Sequence, residues 1–187
     1  MTGATHRLLG MSVVLGLAVA QGWSPLQAGA GTVIGLAVSG GRLSPDMDQF
    51  RGWRLADRVL PDEALGQGGP MRHRGLTHWW GLPILVAATV PVVPPGYRWL
   101  VLALLAGWCS HLLGDFLFGR ADARSGRGPG IPLAPWWGHV GLGLDTGGGL
   151  ESLVRSVVLP AAVLWQSLVV MHADRPLLDF LSGVLGD

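Results

Sequence analysis

Five apolar segments, separated by polar or glycine- and proline-rich stretches, account for most of the chain. They cover residues 8–23, 26–41, 81–95, 99–118 and 153–171. A membrane-spanning helix needs about 20 apolar residues, with a range of roughly 17–25. The fourth and fifth segments meet this length, and the first three cross only with flanking residues or in a locally thin membrane. The pattern therefore predicts an all-α, polytopic membrane protein with about five transmembrane helices.

The connections between these segments differ in length, and this difference predicts the topology. Residues 21–25 and 94–98 form short connections that are typical of tight helical hairpins, and the second contains Pro94, Pro95 and Gly96. Residues 42–80 and 120–151 form two long loops, which in a compact domain are usually functional or disordered. We expect a single domain over residues 1–187, with two hairpins followed by a C-terminal helix.

Residues 1–20 have a second interpretation. A basic start, an apolar stretch and the small residues Ala18-Val19-Ala20 are also typical of a signal peptide that is cleaved from the mature protein. The spanning interpretation is preferred because His6 fits a pattern of metal-ligand residues that recurs on other segments.

Composition and charge support a membrane location and suggest an orientation. Hydrophobic residues make up 49% and charged residues 13% of the chain, against about 25% charged in an average soluble domain. Lysine is absent, and eleven of the 13 arginines fall on the side that carries the long loops. Because arginine-rich loops stay in the cytoplasm, we expect both long loops on the cytoplasmic side of the membrane. The single cysteine, Cys109, excludes an intrachain disulfide and a cysteine-based zinc site.

Histidine and aspartate residues from four distant stretches are expected on that same side of the membrane. His111 and Asp115 are four residues apart, which places both on one face of the fourth segment. A carboxylate at this depth is costly unless it faces a partner or a cavity. The candidate metal ligands are His6, Asp46, Asp48, His73, His78, His111 and Asp115.

This set of residues favours a divalent metal site. Imidazole and carboxylate together suit zinc, manganese or iron, and zinc is the first expectation. Seven candidates exceed the four ligands of one structural zinc, so the set predicts one or two ions. Each residue alone also has a structural interpretation, as a turn or helix-start residue, as part of a basic patch that meets lipid phosphates, or as a polar pair between helices.

Four short stretches carry a family pattern: THRLLG, LSPDMD, HRGLTH and SHLLGD. In this order they resemble the motifs of the YdjM-like family of inner-membrane, metal-dependent hydrolases, and GIPLAPW resembles the family's sequence after the last ligand motif. The resemblance covers about residues 6–136. It implies a polytopic helical hydrolase of the inner (plasma) membrane with the same seven metal-ligand candidates. The family's distant likeness to zinc-dependent phospholipase C and single-strand nucleases implies phosphoester hydrolysis.

The functional hypothesis is therefore metal-assisted hydrolysis of a phosphoester, either a small molecule or a lipid. A bound metal would lower the pKa of water and polarise the phosphoryl oxygen. Asp48 would accept the proton of the water, and Arg72 and Arg74 would bind the phosphate. Membrane lipid is the expected partner, no motif indicates nucleic-acid recognition, and the sequence leaves the oligomeric state open.

Two other functions fit the same residues. A metal or proton transporter would place buried histidines and aspartates through the full depth of the membrane, whereas the candidates cluster on one side. A non-catalytic membrane scaffold would use the metal only to join its loops.

Overall fold

The computed structural model describes residues 1–41, 43–49, 75–120, 129–135 and 137–172, and these residues are mostly helical. The α-helices are α1 (Gly3–Gln21), α2 (Pro25–Gly40), α3 (Gly81–Ala87), α4 (Arg98–Phe118), α5 (Gly149–Leu153) and α6 (Leu159–Met171). A π-helical segment, Val154–Val158, joins α5 to α6 in one continuous rod. Short 3-10 turns cover Pro45–Gln49, Leu76–His78, Val90–Val92 and Pro95–Tyr97.

Three helical rods are long and apolar enough to cross a membrane: Gly3–Gln21, Pro95–Phe118 and Gly149–Met171. Apolar side chains also cover outward-facing positions, and Leu164 and Trp165 of α6 are examples. Such faces are favourable against lipid tails and unfavourable in water. The prediction of a helical membrane protein is confirmed in this coarse form, and the number of five crossings stays a prediction.

The connection between α1 and α2 is built from strong local signals. Gly22 ends α1 in the left-handed conformation (φ 62°), which glycine adopts without strain, and its N–H bonds back to the carbonyls of Ala18 and Val19. Ser24 then caps α2 because its hydroxyl accepts from the N–H of Gln27, whose side chain accepts from the N–H of Ser24. The chain therefore reverses within a few residues.

The third apolar segment forms a shorter helix than the sequence predicted. α3 has seven residues and is therefore about 10 Å long. Pro91, Pro94 and Pro95 follow it, and proline cannot supply the N–H that continues a helix. Arg98 donates to the carbonyls of Pro91 and Val93, which fastens this segment to the start of α4.

Helices α1, α2 and α4 pack against one another. We call the end of this bundle near Gly3, Gly40 and Phe118 the loop end, and the end near Gly22 and Arg98 the hairpin end. The apolar core comprises Val14, Leu15, Ala18, Trp23, Ala28, Ala103 and Val170, and most of these residues lie in the half of the bundle toward the hairpin end. The buried histidines and Asp115 lie in the other half, toward the loop end.

The rod that contains α5 and α6 lies at the edge of the bundle and packs chiefly on α1. Most of its surface faces outward. Two polar contacts tie it to α1. Ser12 donates to Oε1 of Gln166 over 3.3 Å near the middle of α1, and Glu151 accepts hydrogen bonds from Thr2 and Thr5 at the loop end.

A short antiparallel β-hairpin, which the sequence did not predict, adds two strands to this mostly helical fold. Strands β1 (Ile131–Ala134) and β2 (Trp137–Val140) pair in the second long loop, with Pro132 opposite His139. A proline cannot donate to a strand ladder, but a two-stranded ribbon tolerates it because each strand keeps an unpaired edge. The helical periodicity that dominates the rest of the chain is absent from this segment.

The chain after the β-hairpin closes the end of α4. The N–H groups of Leu142 and Leu144 donate to the carbonyls of Phe116 and Leu117, over 2.7 and 2.9 Å. The last turn of a helix leaves such carbonyls without helical partners. These bonds therefore cap α4 and hold the β-hairpin segment at the loop end of the bundle.

Close contact between α1 and α2 depends on Gly10, and this generates a stability prediction. A Cβ at Gly10 would lie 2.1 Å from Oγ of Ser39 and 2.8 Å from the carbonyl oxygen of Gly35. Gly10→Ala should therefore destabilise the protein by about 1–3 kcal/mol, the usual cost of overpacking. The measurement is the thermal unfolding midpoint of the purified protein in detergent micelles.

Gly29→Ala is the matched control, because nothing lies within 4 Å of a Cβ at that position of α2. Alanine in a helix is more stable than glycine by about 0.5–1 kcal/mol, so this variant should melt at or above the wild-type temperature. A Gly10→Ala protein that melts as high as Gly29→Ala would contradict the close packing of α1 on α2.

Candidate metal centre

Five polar side chains from four elements meet at the loop end of the bundle, and we call them the His/Asp cluster. Its members are His6 of α1, Asp46 of the turn Pro45–Gln49, His78 of the turn Leu76–His78, and His111 and Asp115 of α4. All are buried except Asp46, whose side chain is 36% exposed. At 1.5 Å per residue, His111 lies about 10 Å from the end of α4. The cluster therefore occupies the third of the span nearest the loop end.

The imidazoles of His78 and His111 form the centre of the cluster. Their Nε2 atoms are 3.3 Å apart. Asp46 Oδ1 lies 3.3 Å from the first nitrogen and 3.7 Å from the second, and Asp115 Oδ2 lies 3.4 and 3.6 Å from them. Neighbouring ligands of one tetrahedral ion lie about 3.3–3.6 Å apart when each is about 2.0–2.2 Å from the ion. The two Nε2 atoms therefore form one triangle with Oδ1 of Asp46 and a second triangle with Oδ2 of Asp115, and both triangles have the spacing of metal ligands.

The backbone of α2 fixes the protonation of His111. Its Nδ1 lies 2.6 Å from the carbonyl oxygen of Ser39, and because a carbonyl can only accept, Nδ1 carries the hydrogen and donates it. In the neutral ring the lone pair is then on Nε2, which faces His78. A second nitrogen held by a backbone carbonyl is the usual arrangement of a histidine that binds metal.

His6 extends the cluster toward α1. Its ring stacks on that of His111, with the ring centroids 4.1 Å apart and 15° between the planes, and its Nε2 lies 3.4 Å from Oδ1 of Asp115. Asp115 thus contacts His6 with one oxygen and the other imidazoles with its second.

A side chain at position 114 would collide with the ring of His6, and glycine avoids this collision. A Cβ at Gly114 would lie 2.9 Å from both Cε1 and Nδ1 of His6. The absence of a side chain at this position lets the ring of His6 lie directly on the backbone of α4, one residue before Asp115. This glycine therefore contributes to the site by allowing close approach.

Tryptophan side chains hold the turn that carries His78. The indole N–H of Trp108 donates to the carbonyl of Thr77 over 3.1 Å, and the hydroxyl of Thr77 lies 3.1 Å from Nδ1 of His78. The indole N–H of Trp79 donates to the carbonyl of Leu133 in β1 over 3.0 Å. The turn is thus fixed on one side by α4 and on the other by the β-hairpin.

Asp46 is held in its carboxylate form. Burial acts to raise its pKa, but the hydrogen bond with His78 and the nearby imidazole of His111 outweigh burial and hold the pKa of Asp46 well below its usual range. An ionised carboxylate is the form that binds a cation. Asp46 is also the most exposed member of the cluster.

The donor atoms fit a divalent metal ion. Two overlapping groups can hold one: His6, His111 and Asp115, and Asp46, His78 and His111. Within each group the three ligand atoms lie within 4.8 Å of one another. Imidazole nitrogens and carboxylate oxygens together suit zinc, manganese or iron.

Five of the seven predicted metal ligands therefore lie together, and their binding of a metal stays a prediction. The backbone of Asp48 lies in the turn Pro45–Gln49, but its side chain is outside the described part of the structure. His73, Arg72 and Arg74 also lie outside the described residues.

Sequence reasoning missed the groups that support the cluster. The carbonyl of Ser39 and the hydroxyl of Thr77 contact the outer nitrogens of two histidines, and no pattern in the sequence points to either contact. Glu151, which binds the start of α1, did carry a signal. It is a carboxylate at the start of an apolar helix, and such residues usually face a partner.

The fold and the cluster define the class of protein: a helical membrane protein with an internal His/Asp site that can hold a metal ion. Within this class the chain belongs to the YdjM inner membrane protein family, whose model matches residues 1–175. The family resemblance inferred from the four motifs is thereby confirmed. No curated protein and no solved structure matches the chain.

The geometry of the cluster generates a prediction about metal content. Purified wild-type protein, loaded with zinc and dialysed, should retain metal, whereas His78→Ala and His111→Ala should each lower the affinity by more than about 100-fold. Loss of an outer residue that only orients a ligand already costs about 10–100-fold, and loss of a ligand costs more. Elemental analysis and titration against a chelator measure the effect.

His172→Ala is the control for this measurement. His172 follows α6 at the hairpin end, where its Nδ1 contacts the carbonyl of Leu168. Its replacement should leave metal content unchanged. If all three histidine variants retained as much metal as the wild type, the cluster would not be the binding site.

Proposed function

We propose that the protein is a membrane-embedded, metal-dependent hydrolase that cleaves a phosphoester, with a membrane lipid as the preferred substrate class. The observation that carries this proposal is the pair of donor triangles around His78 and His111, each completed by one carboxylate. One or two divalent ions are expected there, with zinc first and manganese or iron as alternatives.

Several residues have roles that follow from their contacts. Ser39 orients the ring of His111 through its carbonyl, and Asp115 links His6 to the other imidazoles through its two oxygens. Asp46 is the most exposed member of the cluster, and a substrate and a water would approach on its side. The chemistry that a bound cation supplies at such a site is Lewis acidity, which favours ionisation of water near neutral pH and polarises a phosphoryl oxygen.

The remaining roles are assigned from the sequence. Asp48 would accept a proton from the attacking water, and Arg72 and Arg74 would bind the phosphate with paired N–H groups. In the overall reaction water attacks phosphorus, the bond from phosphorus to the leaving oxygen breaks, and that oxygen takes up a proton. The products are a phosphate monoester or phosphate ion and an alcohol.

The surroundings of the cluster favour a lipid substrate. Trp80, beside the turn that carries His78, is 45% exposed, and Leu43 and Leu133 are also exposed at the loop end. Tryptophan is enriched where a membrane protein meets the headgroup region. A phosphoester carried by a lipid headgroup would lie at the same depth as this surface.

A cytoplasmic location of the site is supported by the arginine distribution. The predicted topology puts eleven of 13 arginines on the side of the long loops, and the positive-inside rule retains this side in the cytoplasm. Transport is less well supported. Within the described helices no histidine, aspartate or glutamate follows the cluster toward the hairpin end until His172.

The hydrolase proposal predicts metal-dependent turnover. The protein is purified in detergent, stripped with a chelator and reloaded with zinc or manganese. It is then assayed with an aryl phosphodiester, an aryl phosphomonoester and phospholipid vesicles. Asp115→Asn keeps the size of the side chain but removes its charge, and it should lower turnover by at least about 100-fold.

His172→Ala serves again as the matched control and should retain wild-type turnover. Equal rates for wild type and Asp115→Asn, or rates that do not depend on added metal, would rule out a metal-dependent hydrolase at this site. Metal flux into proteoliposomes without any hydrolysis would favour the transporter instead.

A further inference from the structure

Glu151 is a buried carboxylate at the loop end that the His/Asp cluster does not include. It is 1% exposed. Its Oε1 accepts hydrogen bonds from the backbone N–H of Thr2 and from the hydroxyl of Thr5, and its Oε2 accepts one from the N–H of Gly147. Each of these three distances is 2.7 Å. Three charge-assisted hydrogen bonds offset the cost of removing this charge from water.

These bonds hold the first turn of α1. Thr2 is the N-cap residue of α1, and Thr5 lies in its first turn. The two hydroxyls are also 2.7 Å apart, so Thr2, Thr5 and Glu151 form one connected group. Successive residues on a helix point about 100° apart. The turn therefore presents Thr5 to Glu151 while His6, the next residue, lies against α4 at Gly114.

The second oxygen of the Glu151 carboxylate, Oε2, is held by a turn that requires glycine. Gly147 has a φ of 76°, which side-chain-bearing residues rarely adopt, and this conformation directs its N–H to Oε2 of Glu151. The carboxylate is thus held from both sides, by the turn that precedes α5 and by the start of α1.

A second polar contact between the same two rods allows a comparison. Ser12 donates to Gln166 over 3.3 Å, but Ser12 lies six residues beyond His6, about 9 Å further along α1. This contact joins α1 to α6 without reaching the cluster. Removing each contact in turn therefore distinguishes an effect on helix association from an effect on the position of His6.

We propose that Glu151 is a positioning residue, which ties the first turn of α1 to α5 and so fixes the imidazole of His6 beside Asp115 in the metal centre. The inference rests on the proposed function, because His6 must take part in metal binding for its position to matter. Glu151 itself contacts no member of the cluster in the described contacts and acts through Thr5 and the helix backbone.

The test measures zinc affinity by competition with a chelator, and thermal stability in parallel, on full-length protein in detergent. Glu151→Ala and Thr5→Val should each weaken zinc binding by about 10–100-fold, as expected for a residue that orients a ligand. Thr5→Val keeps the shape of threonine but cannot donate, whereas Thr5→Ser keeps the hydroxyl and should bind zinc within about twofold of wild type.

A double-mutant cycle identifies the route of the effect. If Glu151 acts through His6, the double variant His6→Ala with Glu151→Ala should bind zinc no more weakly than His6→Ala alone, because interacting residues are not additive. Gln166→Ala, the control for helix association, should lower the melting temperature without changing zinc affinity.

The outcomes separate this inference from the proposed function. Wild-type protein that binds neither zinc nor manganese nor iron would remove both. Zinc binding that is intact in Glu151→Ala and Thr5→Val would remove the positioning role alone, as would additive losses in the double variant. Equal losses in Gln166→Ala and Glu151→Ala would show that general loosening of the rod, and not the placement of His6, governs affinity.

Discussion

Burial of the Asp115 carboxylate is the constraint on which the loop end of the bundle depends. An unpaired charge at this depth in a membrane costs at least about 2–3 kcal/mol. The protein surrounds the carboxylate with His6, His78 and His111, from three different elements. The amino group of Met1 also lies 3.8 Å from Oδ1 of Asp115, and a divalent cation among the same atoms would neutralise the carboxylate further. The imidazoles that stabilise the buried carboxylate of Asp115 are therefore also groups that can bind a metal ion.

Helix packing and site chemistry are coupled through the same contacts. Ser39 packs against Gly10 through its side chain and accepts from His111 through its carbonyl. Gly114 lets α1 approach α4 closely enough for the ring of His6 to stack on His111. A small change in the distance between two helices would thus move a candidate ligand, because the rigid backbones carry the ligands with them.

The membrane boundary explains why this end of the bundle is polar and partly irregular. Non-helical backbone at membrane depth needs partners for its N–H and carbonyl groups. Here Trp79 and Trp108 donate to carbonyls of the β-hairpin and of the turn before His78, and the chain after the β-hairpin caps α4. The bonds from Trp79 and Trp108 allow a short turn to carry His78 to a site whose other histidines lie on long helices.

The sequence alone determined the membrane class, the family and the residue types of the site, because apolar run length and local motifs are properties of neighbouring residues. The spacing of His111 and Asp115 already placed them on one helix face. The tertiary structure decided the rest. Proline made the third segment a short helix, the second long loop formed a β-hairpin, and His6, Asp46 and His78 came to α4 through packing of distant elements. The roles of Ser39, Gly114 and Glu151 depend on close approach between helices, a three-dimensional property that no local pattern encodes.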